Sequence, residues 1–245
     1  RPRPSAGNAN RWHAHLCIES CKQNTNHMNI PSLEQTEIFI NEAQELNSGV
    51  WVQHSLFVGK AAEAIAKHHP KLNSQTAFIL GYLHDVGRRA GVTDMRHALD
   101  GYYFLTEKGF DHPARICLTH NFPIKNVNAV AGKWDCSKQE LDFLNEYLLS
   151  VEFDEYDRLI QLCDAIALPS GFCLVEKRLM DVALRYGVND FSVPRWKAYM
   201  SLQKDFENVK NYREAINNLH QGISNDRNNS NDRNNESFRD VLGGE

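Results

Sequence analysis

The chain has 245 residues, 42% of them hydrophobic and 24% charged, and a formal net charge of -4. That length can bury a sizeable core, as one large domain or two small ones, and the composition is that of an ordinary globular chain. The slight acidic excess argues against a general nucleic-acid binder, which needs a basic surplus, and no apolar run approaches the roughly 20 residues that span a bilayer.

Residues 1–31 open with Arg1-Pro2-Arg3-Pro4, carry no apolar periodicity and read as a flexible leader without the apolar stretch of a signal peptide. His13, His15, Cys17, Cys21 and His27 crowd into it, but their spacing is not that of zinc-finger ligands. Ser32 is placed to cap a helix through Glu34, Ile38 and Ile40. From Val50 to His68 the apolar positions Phe57, Val58, Ala61, Ala62 and Ile65 recur at helical spacing, with His54 on the same face and Pro70 as the stop. The pair His68-His69 reads as solvated. Ser74 is expected to cap the next helix, through Phe78, Ile79, Leu80 and Leu83, which Gly87 ends.

Further helices are expected over 96–108, 112–120, 137–150, 153–168, 173–186 and 192–220. No alternating strands joined by hairpin turns are found, so the fold is read as all-α, a helical domain over 32–222. The echo Asn-Asp-Arg-Asn-Asn at 225–229 and 231–235 has no apolar content, and 223–245 reads as a disordered low-complexity tail. The six cysteines show no CxxC spacing. Cys117, Cys163 and Cys173 lie in apolar stretches, which suits a reduced, cytoplasmic protein. Trp134, Trp196 and Tyr199 are taken as core or groove packing, there being no basic stripe beside them.

The informative positions are polar residues that interrupt apolar faces. His84 and Asp85 are adjacent in Gly-Tyr-Leu-His-Asp-Val-Gly-Arg. Asp164 is embedded in Leu-Ile-Gln-Leu-Cys-Asp-Ala-Ile-Ala-Leu, and His120 closes Ile-Cys-Leu-Thr-His-Asn. A carboxylate in such surroundings is costly unless a cation or metal meets it. Each residue alone has a plainer reading, as a hydrogen-bonded core histidine or a buried partner for an arginine. Together, imidazoles and carboxylates are the mixture that binds iron, manganese, zinc or related divalent ions, and helical bundles build such sites in their cores.

His54, then His84-Asp85, then Asp164 resemble the H…HD…D signature of the HD superfamily of metal-dependent phosphohydrolases. The flanks agree: Leu83-His84-Asp85-Val86-Gly87-Arg88 is similar to the family's LHDxGK segment, and Leu162-Cys163-Asp164-Ala165 to its LADxI segment. His97-Ala-Leu-Asp-Gly101 and Thr119-His120-Asn121 look like the two further steps of members with six ligand positions and two metals. The resemblance implies an HD-domain helical bundle with extra C-terminal helices. It also implies one ion on His54, His84, Asp85 and Asp164, and a second on Asp85, His97 and His120. For His97 the alternative is an exposed histidine after a loop, beside Arg96.

Arg88 stands where the family often has Lys and is expected to clamp phosphate, since a guanidinium engages two oxygens at once. Lys177 and Arg178 are further candidates for substrate contact, with a solvated helix face as the alternative. The expected function is hydrolysis of a phosphoester or phosphoanhydride in a small nucleotide-like substrate by metal-activated water, with Asp85 and Arg88 catalytic. Two rivals share the resemblance: a di-iron oxygenase on the same ligands, and a non-catalytic nucleotide-binding HD module. No nucleic-acid or membrane partner is expected.

Overall fold

The first helix, α1 (Leu33–Leu46), begins where Ser32 accepts from the Gln35 amide while the Gln35 side chain reaches back to the Ser32 N–H, a complete capping box. This is a computed structural model, and it describes residues 29–209, 214 and 216–218. Most of the expected leader and all of the expected tail, including the repeated Asn-Asp-Arg-Asn-Asn and the N-terminal His/Cys group, lie outside the described residues. Residues 29–31 pack onto the fold: Pro31 is buried, Ile30 touches the core, and Asn29 donates to the Gly109 carbonyl.

The other helices are α2 (Trp51–Ala66), α3 (Ser74–Leu83), α4 (His97–Glu107), α5 (Asp111–Thr119), α6 (Lys138–Ser150), α7 (Glu155–Ile166), α8 (Val175–Tyr186) and α9 (Ser192–Glu207). A 3-10 helix, Val86–Ala90, joins α3 to the loop before α4. Among the described residues the only strands are β1 (Ala167–Leu168) and β2 (Gly171–Phe172), an antiparallel pair with Ala167 opposite Phe172. The all-α expectation holds, and the helices fall close to where the periodicity put them, with two differences: the helix expected over 192–220 breaks after Glu207, and 167–168, expected at the end of a helix, form β1. The α3 cap differs by one residue: Asn73, not Ser74, accepts from the Thr76 amide. Both are good capping residues, so composition alone does not choose between them.

Two glycines set how closely the site-bearing helices approach. A Cβ on Gly81 would stand 2.9 Å from the Gly59 Cα, so α2 and α3 cross backbone to backbone. A Cβ on Gly87 would stand 1.9 Å from the His97 carbonyl oxygen and 2.3 Å from the Gly101 nitrogen, so the 3-10 helix lies against the start of α4. Gly87 therefore does not end α3 as a left-handed cap. Its missing side chain lets α4 close on the turn that carries His84 and Asp85.

Three apolar clusters surround that turn. One joins α2 and α7 with α8 and α9 through Ile65, Leu80, Ile160 and Tyr199. A second joins α1, α3, α4 and α5 through Ile40, Leu83 and Leu105, and a third packs α6 on α4 through Leu99, Phe122 and Leu148. Each fully buried Leu or Ile contributes roughly 1.5–3 kcal/mol. That reservoir tolerates a few buried charges where the clusters meet.

Candidate metal centre

The polar residues collect at that meeting point. His54 lies on the buried face of α2, and Asp164 lies on α7 opposite it, with His54 Nε2 2.9 Å from Asp164 Oδ1. His84 is the C-cap of α3, still helical, and Asp85 then departs to φ -105°, ψ 11°. That is the sparsely populated bridge region, where active-site residues are often found. The departure turns the two side chains onto the same centre. His84 Nε2 stands 3.8 Å from Asp164 Oδ1 and 3.9 Å from Asp85 Oδ2. His97, the first residue of α4, and His120, the C-cap of α5, complete the ring at 3.1 and 3.7 Å from Asp85 Oδ1. His97 is 2% exposed, which removes the surface-histidine alternative.

The structure thus brings together all six residues singled out in the sequence. Ligand atoms of His54, His84 and Asp164 lie within 4.8 Å of one another, and so do those of His84, Asp85 and His120. Asp85 offers one oxygen to each side: Oδ1 faces His97 and His120, while Oδ2 faces His84.

The protonation pattern suits a cation. Nδ1 of His84 points at the Gly81 carbonyl (2.7 Å), Nδ1 of His97 at the Asp94 carbonyl (2.5 Å), and Nδ1 of His120 at the Cys117 carbonyl (3.0 Å). A carbonyl only accepts, so each Nδ1 carries the proton and donates it, leaving the Nε2 lone pair aimed at the centre. Burial lowers the pKa of all three imidazoles, to about 4 for His97 and His120. They are therefore neutral at pH 7, the form that ligates a metal.

Burial by itself would raise the Asp85 carboxyl. Arg88, with His97, His84 and His120, more than reverses this and holds it well below the usual carboxylate range. The same contest, won by His54 and its neighbours, holds Asp164 low. His84 Nε2 is buried without any hydrogen-bond partner. A buried orphan acceptor between two ionised carboxylates is costly unless a cation completes it, so the residues present fit a divalent ion.

Arg88 donates from Nε to Asp85 Oδ2 at 2.7 Å and lines a cavity of about 490 Å3 that opens on His97 and Asp164. Arg89 instead lies over the Phe104 ring at 4.1 Å, a structural contact. Of the other two expected substrate residues, Arg178 lines the cavity and Lys177 does not; Lys177 is exposed. One residue is a hundred-degree turn on a helix, and that rotation separates the two.

Sequence reasoning missed Asn121, whose side-chain amide lies 2.7 Å from His120 Nε2 and 3.4 Å from His97 Nε2. It also missed Arg195 in the cavity wall, and it took Tyr199, which lines the same wall, for packing alone. Asn121 directly follows a ligand-type histidine and so had a local signal. Arg195 had none.

No helix among the described residues is long and apolar enough to cross a membrane. No curated protein and no solved structure matches the chain. A family model, the HD domain, matches residues 51–168, from the start of α2 into β1, and that span contains His54, His84, Asp85, His97, His120 and Asp164. Members of that family are mostly metal-dependent hydrolases, and residues 51–168 of this chain are an HD domain.

Proposed function

We propose that the chain hydrolyses a phosphoester or phosphoanhydride bond in a small, nucleotide-like substrate with the help of bound divalent ions. The observation that carries this reading is the orphaned His84 Nε2 within a ring of four imidazoles and two carboxylates, at the mouth of an arginine-lined cavity. His54, His84, Asp85 and Asp164 would hold one ion, and Asp85, His97 and His120 a second. A bound ion would lower the pKa of a coordinated water and offset charge on a phosphoryl oxygen.

The chain's own groups have separate tasks. Asp85 offers an oxygen to each half of the ring, which suits it to bridge the halves. Arg88 is anchored by its Nε, and no described residue partners its two Nη groups, which leaves them for a phosphoryl oxygen at the cavity mouth. The imidazoles of His84, His97 and His120, each held by a backbone carbonyl, keep their orientation without rearrangement when charge develops.

The test is turnover of a panel of phosphomonoesters, phosphodiesters and dinucleoside polyphosphates by protein stripped with chelator and reloaded with manganese or iron, in air and without oxygen. Metal-dependent hydrolysis that survives anaerobically is the expected result. Turnover only in the presence of oxygen would replace hydrolysis with the di-iron oxygenase. Asp85→Ala should lose both metal and turnover while keeping its helicity, and near-normal activity in that variant would end the assignment.

A further inference from the structure

The cavity beside the His/Asp ring is lined on its far side by α8 and α9, which lie beyond the segment that matches the family model. That wall is unusually cationic. Arg178 and Arg185 share a single acid, Asp181, at 3.8 and 2.8 Å. Arg195 on α9 is only 7% exposed, and the one hydrogen bond of its guanidinium is from Nη1 to the Ala129 carbonyl at 3.2 Å. No carboxylate among the described residues faces it, and burial lowers its pKa. A guanidinium held out of water with no counter-charge is costly, and an anion in the cavity relieves that cost.

Counter-charge within the cavity is scarce. The acids lining it are Asp94 and Asp164. Asp164 is committed to His54, and Asp94 accepts the Lys133 amide. Tyr199, buried and lining the same wall, lies within electrostatic reach of Asp164 on one hand and of Arg195 and Arg178 on the other. Thr93 contributes a buried hydroxyl with no partner. At about 490 Å3 the cavity is within the range that holds a small organic ligand, larger than one phosphate requires.

We propose that Arg195, with Arg178, forms a second anion subsite in this cavity, so that the substrate carries two phosphoryl groups. One lies at the His/Asp ring and the other is held by the α8–α9 wall. This rests on the phosphohydrolase reading and narrows it to organic bisphosphates and phosphoanhydrides.

The test is calorimetric binding of two non-hydrolysed probes, inorganic phosphate and methylenediphosphonate, to metal-loaded protein freed of excess metal. Wild-type protein should bind the diphosphonate at least about tenfold more tightly than phosphate, the margin of one charged hydrogen-bonded contact. Arg195→Gln should lose that margin with phosphate affinity changed less than about twofold, and Arg195→Lys should keep part of it. Arg178→Gln, at a less buried position, should narrow the margin and guards against a folding defect at position 195; metal content checks both.

Equal affinity for the two probes in wild-type protein would overturn the subsite, as would a full margin in both glutamine variants. A margin lost in the variants with no phosphoester hydrolysed by wild-type protein would keep the subsite and discard the hydrolase. Hydrolysis with no margin would do the reverse.

Discussion

Thr119 donates its hydroxyl proton to Asp157 Oδ1 at 2.6 Å, and this bond fastens the end of α5, one residue before His120, to the helix that carries Asp164. Asp157 is fully buried and is also met by Arg115, whose Nε lies 3.2 Å from Oδ1. Its other oxygen accepts the Asp154 amide at 2.8 Å as part of the α7 capping box. Gln161, one turn on, donates to the carbonyls of Thr119 and Phe122, both at 3.1 Å. The network is a brace between two ligand-bearing helices and makes no contact with the ring itself.

Removing its centre leaves a half-buried guanidinium and a buried hydroxyl without their partner. Asp157→Ala should therefore cost about 1–3 kcal/mol of stability, the usual penalty for leaving such groups unsatisfied. Urea unfolding measures it. A loss under about 1 kcal/mol would mean that Arg115 finds Asp154, already 3.8 Å away, an adequate substitute.

Gly87→Ala tests the close approach that brings His97 to Asp85. The added methyl meets backbone, at 1.9 Å from the His97 carbonyl oxygen, so no rotamer relieves it. A shift of α4 is expected, costing about 2 kcal/mol, or roughly 4–8 °C in Tm for a chain of this size. Metal titration should show the sites involving His97 and His120 weakened more than those involving His54 and Asp164. Equal weakening would mean that the 3-10 helix moves as a unit and carries His84 with it.

Much of this site was legible because its residues break a pattern. His54, His84, His120 and Asp164 each interrupt an apolar helical face, and a charge or imidazole there needs a reason. His97 was harder: its neighbours Arg96 and Asp100 are polar, and the burial that places it depends on the backbone of Gly87 closing onto that of Gly101, an approach that no sequence periodicity shows. Arg195 was invisible, because an arginine in Ser-Val-Pro-Arg-Trp-Lys reads as a solvated face until α9 is seen packed across α7. Lys177 failed for the opposite reason, since adjacency to Arg178 in sequence says nothing about which face of α8 a side chain takes.

Asn121 bears on how many ions the ring holds. Its amide hydrogen-bonds His120 Nε2, the lone pair that a second ion would need, so binding there requires Asn121 to turn away. Asn121→Ala should therefore tighten the weaker metal site by about tenfold, the worth of roughly one hydrogen bond, and leave the tighter one unchanged. Metal titration followed by calorimetry distinguishes the two. A variant with the wild-type isotherm would show that the amide does not compete with metal.

Acid should unfold the metal-free protein earlier than its carboxylates alone would require. Burial holds His97 and His120 at about 4, whereas an imidazole in the unfolded chain titrates near 6.5. Between those values the unfolded state binds more protons than the folded one. Stability from these groups is thus complete above about pH 6.5 and is lost as the pH falls toward 4, by up to about 1.4 kcal/mol per pH unit for each imidazole. Asp85 and Asp164, both held low, add a further loss below the ordinary carboxylate pKa of about 3.9. Bound metal competes with protons for the same Nε2 atoms, so reloaded protein should resist acid further and release its ions within this window. Thermal unfolding of chelator-treated protein from pH 7.5 to 4.5 reads the slope directly, and a flat Tm across that range would mean the imidazoles titrate in the folded protein as they do in water.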